Sequence, residues 1–150
     1  MTRQRLSSLF LRASGLLVML LGLVHLAATP HIPALLDGLS PKARAFAVGP
    51  TVLNHILVGV LLLPLGFTAF VAAAERHRGE AWARSLLAAY ALTLLSLPAA
   101  ILVFMRQAAF YQSPLFVAGV AITAATAVLV VLAVWVRGGR KPGSDAPPAE

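Results

Sequence analysis

The sequence predicts an all-α protein, a four-helix transmembrane bundle with both termini in the cytoplasm. Hydrophobic residues make up 59% of the 150 residues and charged residues only 11%, and the mean hydropathy is +0.87. A soluble domain carries about one-quarter charged residues. The apolar residues also collect into four long runs, and most basic residues lie beside one set of run ends. Because so few polar residues cannot cover a globule, we expect the surrounding solvent to be lipid.

Each of the four apolar runs is long enough to cross about 30 Å of hydrocarbon at about 1.5 Å per residue. The predicted spans are about 9–28, 51–73, 85–105 and 115–136. They are predicted to be helices because a spanning segment must satisfy its backbone internally, and the alternation typical of barrel strands is absent. Residues 1–136 are therefore predicted to form one membrane domain, and the polar, Gly- and Pro-rich residues 137–150 a disordered cytoplasmic tail.

The connections between the spans follow from turn-forming residues. Residues 29–50 contain four prolines and the turn signal Asp37-Gly38, so an outer loop is predicted there, in which residues 33–39 can form a short interfacial helix. The charged segment Glu75–Glu80 is predicted as a short inner turn. A turn this short makes the second and third helices antiparallel neighbours.

The predicted orientation comes from counting basic residues at the two sides. One side has three, Lys42, Arg44 and Arg106. The other side has nine: Arg3, Arg5, Arg12, Arg76, Arg78, Arg84, Arg137, Arg140 and Lys141. The positive-inside rule places the richer side, with both termini, in the cytoplasm. The formal net charge of +7 is thus interpreted as membrane anchoring, and nucleic acid is not predicted as a partner.

Two further considerations concern the first span and the overall layout. The N-terminal arginines and the apolar run also resemble a secretory signal, but Leu26-Ala27-Ala28 lacks the small-x-small cleavage pattern. We therefore expect the first span to be retained. The four-span layout resembles, in outline only, that of many small bacterial membrane proteins, including the DoxX-like group. The resemblance carries over no site residue. Separately, the four spans and the distribution of basic residues lead us to expect a multi-pass protein of the bacterial cytoplasmic (inner) membrane.

Two kinds of residue are missing, cysteine from the whole sequence and nearly all charged residues from the spans, and this reduces the number of possible functions. The chain has no cysteine, which excludes disulfides, thiolate metal sites, Fe–S clusters and covalent c-type haem attachment. Apart from Arg12 near the start of the first span, the predicted spans contain no Asp, Glu, Lys or Arg, whereas proton pumps and ion-coupled transporters usually need intramembrane charge. Neither a nucleophile–base pair nor a carboxylate dyad is visible within the spans, so the sequence favours a role other than that of a free-standing enzyme.

Three of the four histidines are predicted to gather at the outer edge of the membrane. His25 lies near the outer end of the first span and His55 near the outer start of the second, so both are about 5 Å below that edge at 1.5 Å per residue. His31 follows in the loop. Gly15 and Gly22, like Gly59 and Gly66, are seven residues apart, a spacing that lets two helix backbones approach closely.

The histidines support two cofactor hypotheses and one purely structural interpretation. His25 and His55 on opposed helices could hold a haem b as cofactor, and the set His25, His31 and His55 could bind a transition-metal ion such as copper or zinc. Such sites serve electron transfer or metal handling. Alternatively, His25 and His55 are buried neutral groups that hydrogen-bond between helices.

The second functional class is a non-catalytic accessory subunit of a larger membrane complex. In that case the partners beside the lipid bilayer are another membrane protein or further copies of this chain.

Overall fold

The computed structural model describes residues 2–74, 79–104 and 111–138, and these residues form four α helices. Helix α1 spans Arg3–Ala28, α2 Pro41–Ala72, α3 Ala81–Phe104 and α4 Pro114–Gly138. Two 3-10 turns, Thr29–His31 and Pro33–Leu36, connect α1 to α2. All four α helices are long and apolar enough to cross a membrane. The predicted all-helical bundle is confirmed, and the four candidate spans support a multi-pass membrane protein.

The start of α2 differs from the sequence prediction. The helix begins at Pro41, so residues 41–50 are helical and their assignment to a loop is wrong. Ser40 caps the helix by accepting a hydrogen bond from the Ala43 backbone N–H at 3.4 Å, and Pro41 occupies the first turn, where a missing N–H costs nothing. Arg44 also pairs with Asp37 of the connection at 2.7 Å. Pro50 lies inside the helix. This proline removes one backbone hydrogen bond, and the helix continues past it.

Helix α1 lies at the centre of the packing. It contacts α2 and α4 along much of its length, whereas α3 makes smaller contacts with α4 and α2. Helices α2 and α3 are therefore in contact, as predicted, but less closely than α1 and α2. The buried core includes Val18 and Leu21 of α1, Tyr90 and Leu94 of α3, and Val130 of α4.

The interface of α1 and α2 is built on the predicted glycines. A Cβ on Gly15 would lie 2.7 Å from the backbone oxygen of Gly66, and a Cβ on Gly22 would lie 2.8 Å from that of Gly59. Only glycine permits these backbones to come so close. The two pairs define an antiparallel register, called here the glycine seam (Gly15, Gly22, Gly59 and Gly66).

The two ends of the bundle differ in their side chains. The histidine end comprises residues 25–55, and the arginine end comprises the start of α1, the start of α3 and the end of α4. Because α2 begins at Pro41, His55 lies well inside its helix, and its predicted position close to the helix start is wrong. Most of the predicted inner turn, residues 75–78, and nearly all of the predicted tail, residues 139–150, lie outside the described residues. So does Arg106, one of the three basic residues of the poorer side.

Candidate functional site

The glycine seam brings His25 and His55 together at the histidine end. Continuing along α1 from Gly22 reaches His25 after less than one further turn, and going back along α2 from Gly59 reaches His55 after about one turn. The two imidazole rings stack, with centroids 4.7 Å apart and planes inclined by 24°. Both side chains are half-buried. The predicted juxtaposition of these two histidines is thus present in the fold.

The hydrogen bond of His25 defines which ring nitrogen carries its proton. Its Nδ1 lies 3.2 Å from the backbone oxygen of Leu21, one turn earlier in α1. A carbonyl oxygen can only accept, so Nδ1 of His25 is the donor. In the neutral ring the lone pair then resides on Nε2.

Thr29 fixes His55 in the same tautomer. Its hydroxyl donates to the backbone oxygen of His25 at 2.9 Å, and this uses its single proton. Nδ1 of His55, 3.1 Å from the same hydroxyl oxygen, must therefore donate to it. Nε2 of His55 consequently carries the lone pair, as does Nε2 of His25.

Thr29 is not among the predicted site residues, although the sequence carries a signal for it. Ser8, Gly15, Gly22 and Thr29 follow one another at intervals of seven, the first three in α1 and Thr29 directly after it. All four are small, and all face α2: Ser8 donates to the backbone oxygen of Ala73, the glycines form the seam, and Thr29 contacts His55. A seven-residue repeat of small residues therefore marks the whole face, including its polar ends.

This arrangement has the chemistry of a pair of metal ligands. Histidines that ligate a metal usually donate their second ring nitrogen to a carbonyl, a carboxylate or another oxygen, which fixes both the tautomer and the ring orientation. Two nitrogen atoms that share one zinc ion lie at most about 4 Å apart, since each bond is about 2.1 Å. The ring centroids are 4.7 Å apart with planes inclined by 24°. Because each lone pair lies in its own ring plane, the rings would have to turn out of this stacking for both Nε2 atoms to reach one ion.

His31 does not complete a three-histidine group. It lies in the first 3-10 turn and is exposed. The residues that the structure describes contain no cluster of three or more His, Asp or Glu side chains placed to hold a metal ion. The structure therefore brings together two of the three predicted ligands.

The stacked rings also bear on haem binding. A haem held by two histidines lies between them, so the ring nitrogens approach its iron from opposite faces. Rings stacked with centroids 4.7 Å apart leave no space for a haem between them. A haem would therefore require the two rings to separate, whereas a shared metal ion would require them to turn.

Other buried hydroxyl groups, which were not predicted as functional, lie between the arginine end and the middle of the helices. Ser7 donates to the backbone oxygen of Ala133 in α4 at 3.0 Å. Ser14 donates to Leu11 at 2.8 Å and accepts from the Tyr90 hydroxyl of α3 at 3.1 Å. All three hydroxyl-bearing residues are buried. Since each proton already has an acceptor, these hydroxyl groups join helices and offer no free nucleophile.

Comparison with known proteins adds no relative. No protein-family model matches the chain, and neither a curated protein nor a solved structure shows significant similarity to it.

Proposed function

We propose that this protein is a multi-pass protein of the cytoplasmic (inner) membrane that binds a transition-metal ion, copper or zinc, through Nε2 of His25 and Nε2 of His55. The observation that supports this proposal is the shared tautomer. Both Nδ1 atoms donate to oxygen acceptors, so both lone pairs are available on adjacent side chains. Imidazole nitrogen is a good ligand for both metals.

Two protein ligands suit metal handling better than a permanent structural site. Structural zinc sites are usually closed by four protein ligands. A site made by two histidines leaves positions free for water or for a group on a donor or acceptor molecule. We infer that the pair takes up and releases its ion at the membrane surface.

The proposal places the histidine end on the outer face of the membrane. Within the described residues Arg3, Arg5, Arg12 and Arg84 lie toward the arginine end, and Lys42 and Arg44 toward the histidine end. The positive-inside rule then puts the arginine end and both termini in the cytoplasm. Reporter fusions at Gly38 and Gly138 test this: activity typical of the cytoplasm is expected at Gly138 and not at Gly38. The reverse result would overturn the orientation.

Metal binding is tested on the full chain, purified in detergent and titrated separately with zinc and copper ions. We expect one ion per chain in the wild type, measured by elemental analysis after desalting, and loss of that ion in His25→Ala and in His55→Ala. His31→Ala is the matched control and should keep the ion. A wild type without stoichiometric metal would overturn the proposal. A Soret absorption band in protein from haem-replete cells would show that the bound cofactor is haem and not a metal ion.

The accessory-subunit role rests on a different observation. Asn54 precedes His55 but is exposed on α2, and amide side chains hydrogen-bond across helices in membranes. A partner helix could meet this amide. Specific crosslinking from position 54 to another chain, lost in Asn54→Leu, would support this second function, whereas the absence of any crosslink would exclude an interface at this position.

A further inference from the structure

A groove opens at the arginine end between α1, α3 and α4. Its volume is about 380 Å³, within the range of about 300–1,000 Å³ found for small-molecule sites. The α3 side of the groove is formed by Arg84, Leu87, Ala88 and Ala91. These positions are three or four residues apart and so share one face of the helix. The groove therefore follows α3 for about two turns, or roughly 10 Å.

The other two helices close the sides of this groove with mainly apolar groups. Leu11 and Ser7 line it from α1, and Ala133 and Val134 line it from α4. The Ser7 hydroxyl already donates to Ala133, so its proton is not free for a ligand. Beyond Arg84 the lining offers hydrocarbon contact and little hydrogen bonding.

Arg84 gives the groove a cationic end. It belongs to the first turn of α3 and its side chain is exposed. No carboxylate within residues 2–74, 79–104 and 111–138 pairs with it. The apolar part of the groove continues from this arginine into the span. A charged end at the level of lipid headgroups and an apolar channel below it complement an anionic lipid with one acyl chain.

We propose that this groove binds an anionic phospholipid, whose headgroup phosphate contacts Arg84 and one of whose acyl chains lies along Leu87, Ala88 and Ala91. The site is independent of the metal site, which lies at the opposite end of the bundle. A neutral zwitterionic lipid has the same acyl chains but no net charge to complement the arginine. The proposal thus predicts selectivity by headgroup charge.

The test uses the full chain, delipidated in detergent and titrated with phosphatidylglycerol or phosphatidylcholine, with bound lipid counted by native mass spectrometry. We expect phosphatidylglycerol to bind about fivefold more tightly, the effect of one basic residue near a membrane surface. Arg84→Gln should abolish this preference and Arg84→Lys should retain it. Lys42→Gln removes one positive charge at the other end of the bundle and should leave the preference unchanged.

Groove filling provides a second and separate test. Ala88→Leu places a larger side chain in the groove, whereas Ala89→Leu adds the same atoms at an exposed position outside its lining. We expect Ala88→Leu to lose the tightly bound lipid and Ala89→Leu to keep it. Equal binding by these two variants would overturn the groove as the binding site. A lipid preference that survives Arg84→Gln, or that falls equally in Lys42→Gln, would overturn the role of Arg84.

Discussion

Helices α2 and α3 are both long apolar helices, but they pack against the rest of the bundle in different ways. α2 lies against α1 with its backbone nearly in contact at Gly59 and Gly66. α3 contains no glycine and makes smaller contacts. Its residues Leu92 and Phe104 are 75% and 80% exposed. In a membrane the lipid around a helix is as apolar as leucine, so close packing, and not hydrophobicity, determines which helices join tightly there.

The polar contacts show the same contrast. On the α1–α2 side, Ser8 and Thr29 add hydrogen bonds at the two ends of a continuous seam. On the α3 side, Tyr90 is joined to α1 through the single hydroxyl of Ser14. We therefore expect α1–α2 to be the rigid part of the bundle and α3 the part that depends on few contacts.

The largest expected effect comes from breaking the glycine seam. Gly66→Ala would place a Cβ 2.5 Å from the backbone oxygen of Gly15, and because backbone cannot yield easily, the helices must separate. We expect the free energy of unfolding to fall by about 2–3 kcal/mol. Reversible denaturation in mixed detergent micelles measures this change.

Gly119→Ala is the matched control in α4. Its Cβ would meet only a side-chain atom of Leu21, at 3.6 Å, which is ordinary contact. We expect no loss of stability and a gain of up to about 1 kcal/mol from helix propensity. Equal changes in the two variants would contradict the role given to the seam.

The next effect concerns the histidine end. Thr29→Val keeps the shape of the side chain but removes the oxygen that accepts from Nδ1 of His55. Loss of such a supporting contact typically weakens metal affinity by about 10–100-fold, and we expect that range for zinc or copper. Thr93→Val is the control, because the Thr93 hydroxyl donates only to its own helix at Ala89. An unchanged affinity for the metal in Thr29→Val would contradict the idea that the Thr29 hydroxyl supports metal binding by fixing the tautomer of His55.

The seam and the histidine pair could be predicted from the sequence because both depend on spacing. Intervals of seven residues in two antiparallel helices determine which residues meet, and Gly22 and Gly59 fix the level of His25 and His55. Thr29 was missed because it follows the predicted span, next to Pro30. The register continues through it even though the α helix ends at Ala28.

Other features depend on contacts that no spacing within one helix reveals. The hydrogen bond between Ser14 and Tyr90 joins α1 to α3, and its partners are 76 residues apart. The helical conformation of residues 41–50 was missed for a local reason: four prolines suggested a loop, although Ser40-Pro41 is a favourable helix start. The ring stacking of His25 and His55 requires side-chain orientations that the sequence does not contain.

A smaller effect is expected for the contact that joins α3 to α1. Tyr90→Phe and Ser14→Ala each remove one partner of the hydrogen bond, and a double-mutant cycle isolates their coupling. We expect a coupling energy of about 0.6 kcal/mol, the average for such bonds in membrane proteins. The measurement is the unfolding free energy of the wild type, both single variants and the double variant. Strict additivity would show that this hydrogen bond does not hold α3.

The smallest effect is expected on the outward face of α3, where Leu92 is 75% exposed. In a bilayer Leu92→Ala exchanges one lipid-facing apolar side chain for a smaller one, and this side chain contacts lipid before and after unfolding, so we expect a change within about 0.5 kcal/mol. Leu94 lies half a turn further along and is 2% exposed; Leu94→Ala leaves a cavity and should cost about 2 kcal/mol or more. Both variants are compared by denaturation in the same bicelles. A loss at Leu92 as large as that at Leu94 would mean that the outward face of α3 is covered by protein, and α3 would then be the helix through which this bundle meets a partner.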